Sequence, residues 1–143
     1  MATSIQVVFD CADPDGLAKF WAKALGYKLE EAPAGFITWQ DYLKTLQIPE
    51  DEWAGASIID PEGKGPRLYF QLVPEGKIVK NRLHLDLSAG GGRGNPLEVR
   101  QTLIETEAAR LIGLGAKIIR VGEEYDSFWI VMGDLEANEF CLH

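Results

Sequence analysis

Few side chains in this sequence can exchange protons near neutral pH, and those that can fall at regular spacing. In KNRLHLDL, Lys80 to Leu87, apolar and polar residues alternate. Read as a strand, Leu83, Leu85 and Leu87 share one face, and Arg82, His84 and Asp86 share the other. His84 is one of only two histidines, and imidazole is the side chain whose ordinary titration lies nearest neutrality. NEFCLH at the end of the chain sets Glu139, Cys141 and His143 against Phe140 and Leu142. RLYFQL sets Arg67, Tyr69 and Gln71 against Leu68, Phe70 and Leu72; SIQVVFD sets Gln6, Val8 and Asp10 against Ile5, Val7 and Phe9. If the sheets curve, the four mixed faces line a concave surface with an apolar body and a few polar groups, the usual form of a small-molecule site. Tyr69, Trp39 and Trp129 are suited to stack on a planar ligand there. Trp21 and Phe20 recur at helical spacing and belong to a core.

The elements that must position these residues follow in order. After SIQVVFD, Asp13 caps a helix with Pro14 in its first turn, Leu17, Phe20, Trp21 and Leu25 make its buried stripe, and Gly26 ends it. YKLEEA and GFITWQDYL read as two strands joined by a turn at Pro33 to Gly35. A long loop with a short strand at Ala56 to Ile59 leads to RLYFQLV. RLHLDL is then a strand and SAGGGRGN a loop. Asn95, Pro96 and Glu98 form a cap, a first-turn proline and a capping-box partner for a helix from Pro96 to about Leu114, with Ile104, Ala108 and Leu111 buried. AKIIRV, SFWIVMGD and NEFCLH are three further strands. The glycine loop lacks the GK[ST] ending of a phosphate loop and is read as a linker.

The second half repeats the first. ALGYKL matches GLGAKI and DPEG at Asp60 matches DLEA at Asp134; RLYFQL matches NEFCLH and VFDCA matches LDLSA, each shifted by one residue, so that Tyr69 aligns with Glu139, Asp10 with Asp86 and Val8 with His84. A period of roughly 70 residues is too long for a solenoid. The expected class is α+β: two βαβββ modules, residues 1–74 and 81–143 with a joint at 75–80, forming a curved, cup-like sheet or barrel with helices on the outer face.

The bulk properties narrow the partners. A formal charge of −8 from 14 basic and 22 acidic side chains disfavours nucleic acid and anionic membranes. No apolar run approaches the ~20 residues of a membrane span. The N-terminus reads as no signal peptide. Cys11 and Cys141 make no metal or redox motif, and a cytoplasmic location is expected.

FDCADPDGLAKFWAKALGY, LYFQLVPEGKIVKNRLHLDL, LGLGAK and DLEANEFCL together resemble the glyoxalase-like branch of the vicinal oxygen chelate superfamily, which includes glyoxalase I, extradiol dioxygenases and bleomycin-resistance proteins. The resemblance spans nearly the whole chain. It implies metal ligands on the first and last strands of each module, and so assigns His84 and Glu139 to a divalent ion (Zn, Ni, Mn or Fe). The corresponding residues of the first module are Val8, which has no donor atom, and Tyr69, a poor ligand while protonated. Gln71 is a further candidate from the same face. A catalytic site usually takes about three protein ligands and an open position, so two readings stand. In one, His84 and Glu139 serve a metal-dependent lyase, isomerase or dioxygenase. In the other, the protein binds a small molecule without a complete metal site, and the same pair is a hydrogen-bonded brace or an acid–base couple. Arg82, at a distance of two residues from His84, is expected to contact the ligand. Asp86 is expected about 7 Å along the strand from His84, and His143 to be frayed. DLEANEF replaces the proline and glycine of the related DPEGNEF, which leaves the placement of Glu139 open. The resemblance also implies a homodimer.

Overall fold

The Asp13-Pro14 pair opens the first helix in the computed structural model, which describes residues 1–143. The Asp13 carboxylate accepts from the Gly16 amide at 3.1 Å. Helix α1 runs Pro14–Leu25 and stops at Gly26, whose φ of +70° is cheap only for glycine. Its Leu17, Phe20 and Trp21 are buried.

The chain forms two compact units, Met1–Gly76 and Lys77–His143. The first contains β1 (Val7–Cys11), α1, β2 (Lys28–Leu29), α2 (Trp39–Thr45), a short 3-10 turn (Glu50–Glu52), β3 (Gly55–Ile59) and β4 (Leu68–Leu72). Its sheet has the order β1-β4-β3-β2, with β1 and β4 parallel and the other pairs antiparallel. The second contains β5 (Leu85–Leu87), α3 (Leu97–Gly113), β6 (Lys117–Glu124), β7 (Ser127–Gly133) and β8 (Glu139–Leu142), ordered β5-β8-β7-β6. Its outer pair β5 and β8 is again parallel. The architecture is α+β, and each unit is a βαβββ module.

Each helix covers one face of its own sheet. Ile58, Leu68 and Phe70 are buried with α1; Ile104, Ala108 and Leu111 of α3 are buried with Phe128, Ile130 and Met132 of β7. Full burial of such a side chain is worth roughly 1.5–3 kcal/mol. The repeat is written in the register. Val8 pairs with Tyr69 and Phe9 with Phe70 in the first unit; Leu85 pairs with Phe140 in the second. The aspartate turns repeat too: Asp60 accepts from the Glu62 amide at 2.9 Å, and Asp134 from the Glu136 amide at 2.9 Å.

Several expectations are corrected. Residues 39–45 are a helix, not a strand, because Thr38 and Asp41 cap it reciprocally: the Thr38 hydroxyl accepts from the Asp41 amide at 3.1 Å and donates to the Asp41 carboxylate at 2.8 Å. Strand β5 starts only at Leu85, so Leu83 is 80% exposed rather than core; Ile5 and Leu72 are exposed as well. Asn95 does not cap α3. Its amide instead bonds the Gly90 and Gly91 carbonyls and closes the glycine loop. His143 is not frayed: its amide donates to the Leu87 carbonyl, and its carbonyl accepts from Ala89 and Gly90. No helix is long and apolar enough to cross a membrane.

Candidate functional site

The face of the first sheet turned away from α1 carries Tyr69 from β4 and Ser57 from β3, register partners on adjacent strands. Helix α2 and the residues after it wall a cavity of about 410 Å³ over that face, lined among others by Trp39, Leu43, Trp53, Ser57, Arg67 and Tyr69. Trp39 is fixed by a 2.9 Å bond from its indole N–H to the Glu30 carbonyl, and Trp53 by one of 2.9 Å to the Ile48 carbonyl. The two indoles thus present apolar surface to the cavity with their polar edges already satisfied.

A charged network closes one side. Glu30 Oε2 accepts from Ser57 Oγ at 2.6 Å and from Arg67 Nε at 2.8 Å, and Arg67 Nη2 lies 2.6 Å away. Arg67 Nη1 donates to Gln6 Oε1 at 2.8 Å, and its guanidinium lies over the Tyr69 ring, 5.7 Å from the centroid. Burial alone would raise the Glu30 pKa, but the bonds from Arg67 and Ser57 and the Arg67 charge outweigh it and hold the carboxyl below its usual range. Glu30 is therefore an ionised anchor and a weak base. Ser57, 8% exposed, donates its hydroxyl hydrogen to Glu30. The cavity combines apolar indole and phenol walls with an arginine held in a bonded network and a carboxylate beside it.

The second unit places the other predicted residues elsewhere. His84 directly precedes β5 and Glu139 opens β8, one step before the Leu85–Phe140 pair. They hold the positions of Val8 and Tyr69 in the first unit's ladder, yet their side chains are engaged separately. His84 Nε2 lies 3.2 Å from Asp86 Oδ1, with both side chains about half exposed. The 7 Å estimate measured the backbone only; the long imidazole spans that gap. Glu139 pairs with Lys80 Nζ, and its carbonyl accepts from Asn81 Nδ2 at 3.3 Å. The Lys80 bond, with further help from the charge of Lys77, lowers the Glu139 pKa. Within neither unit do three His, Cys, Asp or Glu side chains cluster to hold a metal. The Cys141 thiol is pushed up to about 11 by burial and by Asp86, so it is protonated and a poor ligand at neutral pH. Neither unit by itself supplies three such ligands.

Of the predicted ligand contacts, Tyr69 and Trp39 meet in the first cavity. Gln71 and Arg82 are exposed and line neither this cavity nor that of the second unit. Trp129 lines a separate cavity of about 480 Å³ in the second unit, with Asp86, Arg93, Cys141 and His143 among its neighbours. Sequence reading passed over Trp53, Glu30, Ser57 and Arg67 as a group. The one available signal was the Thr38-x-x-Asp41 cap, which would have put Trp39 on a helix able to close over a sheet.

A family model described as a glyoxalase-like domain matches residues 6–143. No curated protein matches. Among solved structures, the chain is similar to the hypothetical protein SA1046 from S. aureus, at 15% identity over 99% of this chain and 96% of that one, with a TM-score of 0.58. It is also similar to the fosfomycin resistance protein FosX from Listeria monocytogenes, a structure complexed with Mn(II) and sulfate, at 9% identity over 100% and 90% of the chains and a TM-score of 0.63. A possible glyoxalase from Bacillus cereus matches at 11% identity over 99% and 98%, with a TM-score of 0.60. At such identities the likeness establishes the fold.

Proposed function

The chain belongs to the glyoxalase-like domain family, within the vicinal oxygen chelate superfamily, and on that premise we propose that it binds a small molecule in the first unit's aromatic cavity without a complete metal site. The observation that carries this reading is the set of three aromatic walls, Trp39, Trp53 and Tyr69, around a space of about 410 Å³ beside the Arg67–Glu30 pair. Such a cavity has the size and the mixture of apolar surface and few fixed polar groups that small ligands require. The first unit offers Val8 and Tyr69 where the second offers His84 and Glu139, which supports binding by side chains over coordination. The ligand is a small molecule rather than a nucleic acid, in keeping with the net charge of −8.

A metal-dependent lyase, isomerase or dioxygenase is the second reading, and what favours it is that His84 and Glu139 each directly precede the Leu85–Phe140 pair of the β5–β8 ladder. It asks Lys80 to release Glu139 and a third donor to arrive. Elemental analysis of purified protein showing stoichiometric Zn, Ni, Mn or Fe would establish it over the first reading. We also expect a cytoplasmic location and a homodimer, the latter since Ile118, Ile119 and Val121 leave the outer strand β6 apolar and exposed; light scattering giving a monomer mass at micromolar concentration would count against the dimer.

The binding reading is tested by screening small molecules for a rise in melting temperature in the presence of EDTA. A ligand at 100 times its Kd should add about 2.7 kcal/mol to stability. Tyr69→Ala and Trp53→Ala should each weaken a confirmed ligand by roughly tenfold. Hits that bind both variants as tightly as the parent would overturn the assignment of the cavity.

A further inference from the structure

The two modules share a device that the family relationship does not require: an aromatic side chain pressed close against a strand glycine. In the first unit, a Cβ added at Gly55 of β3 would lie 2.4 Å from the Tyr69 hydroxyl. In the second, a Cβ at Gly122 of β6 would lie 2.2–2.5 Å from three atoms of the Trp129 indole, directly across the ladder on β7. Glycine inside a strand weakens it, and a position that keeps one marks a close approach. Here the close approach is that of the indole. With any side chain at position 122, Trp129 would have to stand away from the sheet.

Trp129 differs from the tryptophans of the first cavity. Trp39 and Trp53 spend their indole N–H groups on backbone carbonyls. The Trp129 N–H makes no hydrogen bond within the chain, and its ring, half-buried, lines the cavity of about 480 Å³. Arg100, which also reaches that cavity, is spent on the Asn95 carbonyl and on Asp126, and so braces the glycine loop against the β6–β7 turn. On the same rim stands Tyr125, 94% exposed and with no ring partner. A fixed platform, an uncommitted donor at its edge and a second aromatic at the mouth are the components of a stacking site.

We propose that the second unit holds its own binding site for a planar aromatic or heteroaromatic molecule, stacked on Trp129, with Gly122 as the residue that sets the plane of the platform. This site stands independently of the first cavity. Gly122 acts as a positioning residue, through the tilt of the indole.

The test uses 15N-labelled protein, whose four indole N–H resonances (Trp21, Trp39, Trp53 and Trp129) are assigned by single Trp→Phe variants. The probe is 2-naphthol, with its saturated counterpart decahydro-2-naphthol as the non-planar control. The proposal expects 2-naphthol to shift the Trp129 resonance saturably and the saturated alcohol to bind roughly tenfold more weakly or less. Gly122→Ala should weaken 2-naphthol by a similar factor while the other three indole resonances keep their positions. If that variant loses its fold, Trp129→Leu, read from the ligand's own NMR signals, should lose the binding. A Trp129 resonance that does not move, equal binding of the two alcohols, or unchanged binding to Trp129→Leu would each overturn the proposal. Shifts confined to Trp39 and Trp53 would support the first-unit cavity and still overturn this one.

Discussion

Replacing Ala137 by glycine should stabilise this protein, and the repeat allows the size to be worked out. The turns Asp60–Gly63 and Asp134–Ala137 are built alike. In each, the fourth residue's amide donates to the aspartate carbonyl, at 3.0 Å for Gly63 and 3.1 Å for Ala137. In each, that fourth residue is left-handed, with φ of +69° at Gly63 and +64° at Ala137. A non-glycine residue pays about 1–2 kcal/mol to sit there, and glycine returns about 0.5–1 kcal/mol through its freer unfolded chain. The net gain for Ala137→Gly is roughly 0.5–1 kcal/mol. For 143 residues the entropy of unfolding is about 0.3 kcal/mol per degree, so the melting temperature should rise by about 2–3 °C. Gly63→Ala should lower it by a similar amount, because an added Cβ there meets nothing within 4 Å and only backbone strain is introduced. Calorimetry or urea denaturation reads both. If Ala137→Gly left the stability unchanged or reduced it while Gly63→Ala cost the expected amount, the two turns would not be equivalent and the reasoning from the repeat would fail.

Three further outcomes follow from the charge network. The depressed pKa of Glu30 means that its contribution to stability is present above the ordinary value of 4.5 and is lost as pH falls through the lower folded value; Glu30→Gln should therefore lower the melting temperature at pH 7, by roughly 1–2 kcal/mol for the lost charge-assisted bonds, and flatten the acid limb of the stability profile. Cys141 titrates in the opposite sense: with its thiol raised from 9.0 to about 11, it stabilises the fold below pH 9 and that contribution is lost as pH climbs toward 11, so iodoacetamide at pH 8.5 should label it slowly in native protein and rapidly in urea. Lys80→Ala should let the Glu139 carboxyl rise toward its ordinary value in an NMR titration, with a stability change under about 1 kcal/mol because the Lys80 side chain is 71% exposed.

Much of the architecture was legible because it is periodic. The alternation in RLYFQL and NEFCLH, the stripe Leu17, Phe20 and Trp21, and the repeat of the DPEG and DLEA turns all report local geometry that survives in the fold. The errors fall where one local signal was outweighed by another. GFITWQDYL has the aromatic and β-branched content of a strand, but the Thr38–Asp41 cap starts a helix within it. KNRLHLDL alternates for its full length, yet only Leu85–Leu87 finds a partner strand, so Leu83 has nothing to pack beneath. The site was legible in part. Tyr69 and Trp39 were assigned to ligand contact and do meet in one cavity. The Glu30–Ser57–Arg67 network joins residues up to 37 positions apart, and no spacing rule in a single sequence brings them together. Glu139 opens β8 and His84 lies one residue short of β5, and the nearby groups of Asp86 and Lys80 engage the two side chains.

The central claim is that side chains of the first unit, and not a metal ion, hold the ligand. Its most direct test is the binding isotherm of a confirmed ligand, measured by calorimetry on EDTA-treated protein and again with saturating Mn(II) or Zn(II). The account predicts the same Kd in both, weakened roughly tenfold by Tyr69→Ala and untouched by His84→Ala. Binding that appears only with the metal present, and disappears in His84→Ala or Glu139→Ala, would contradict it.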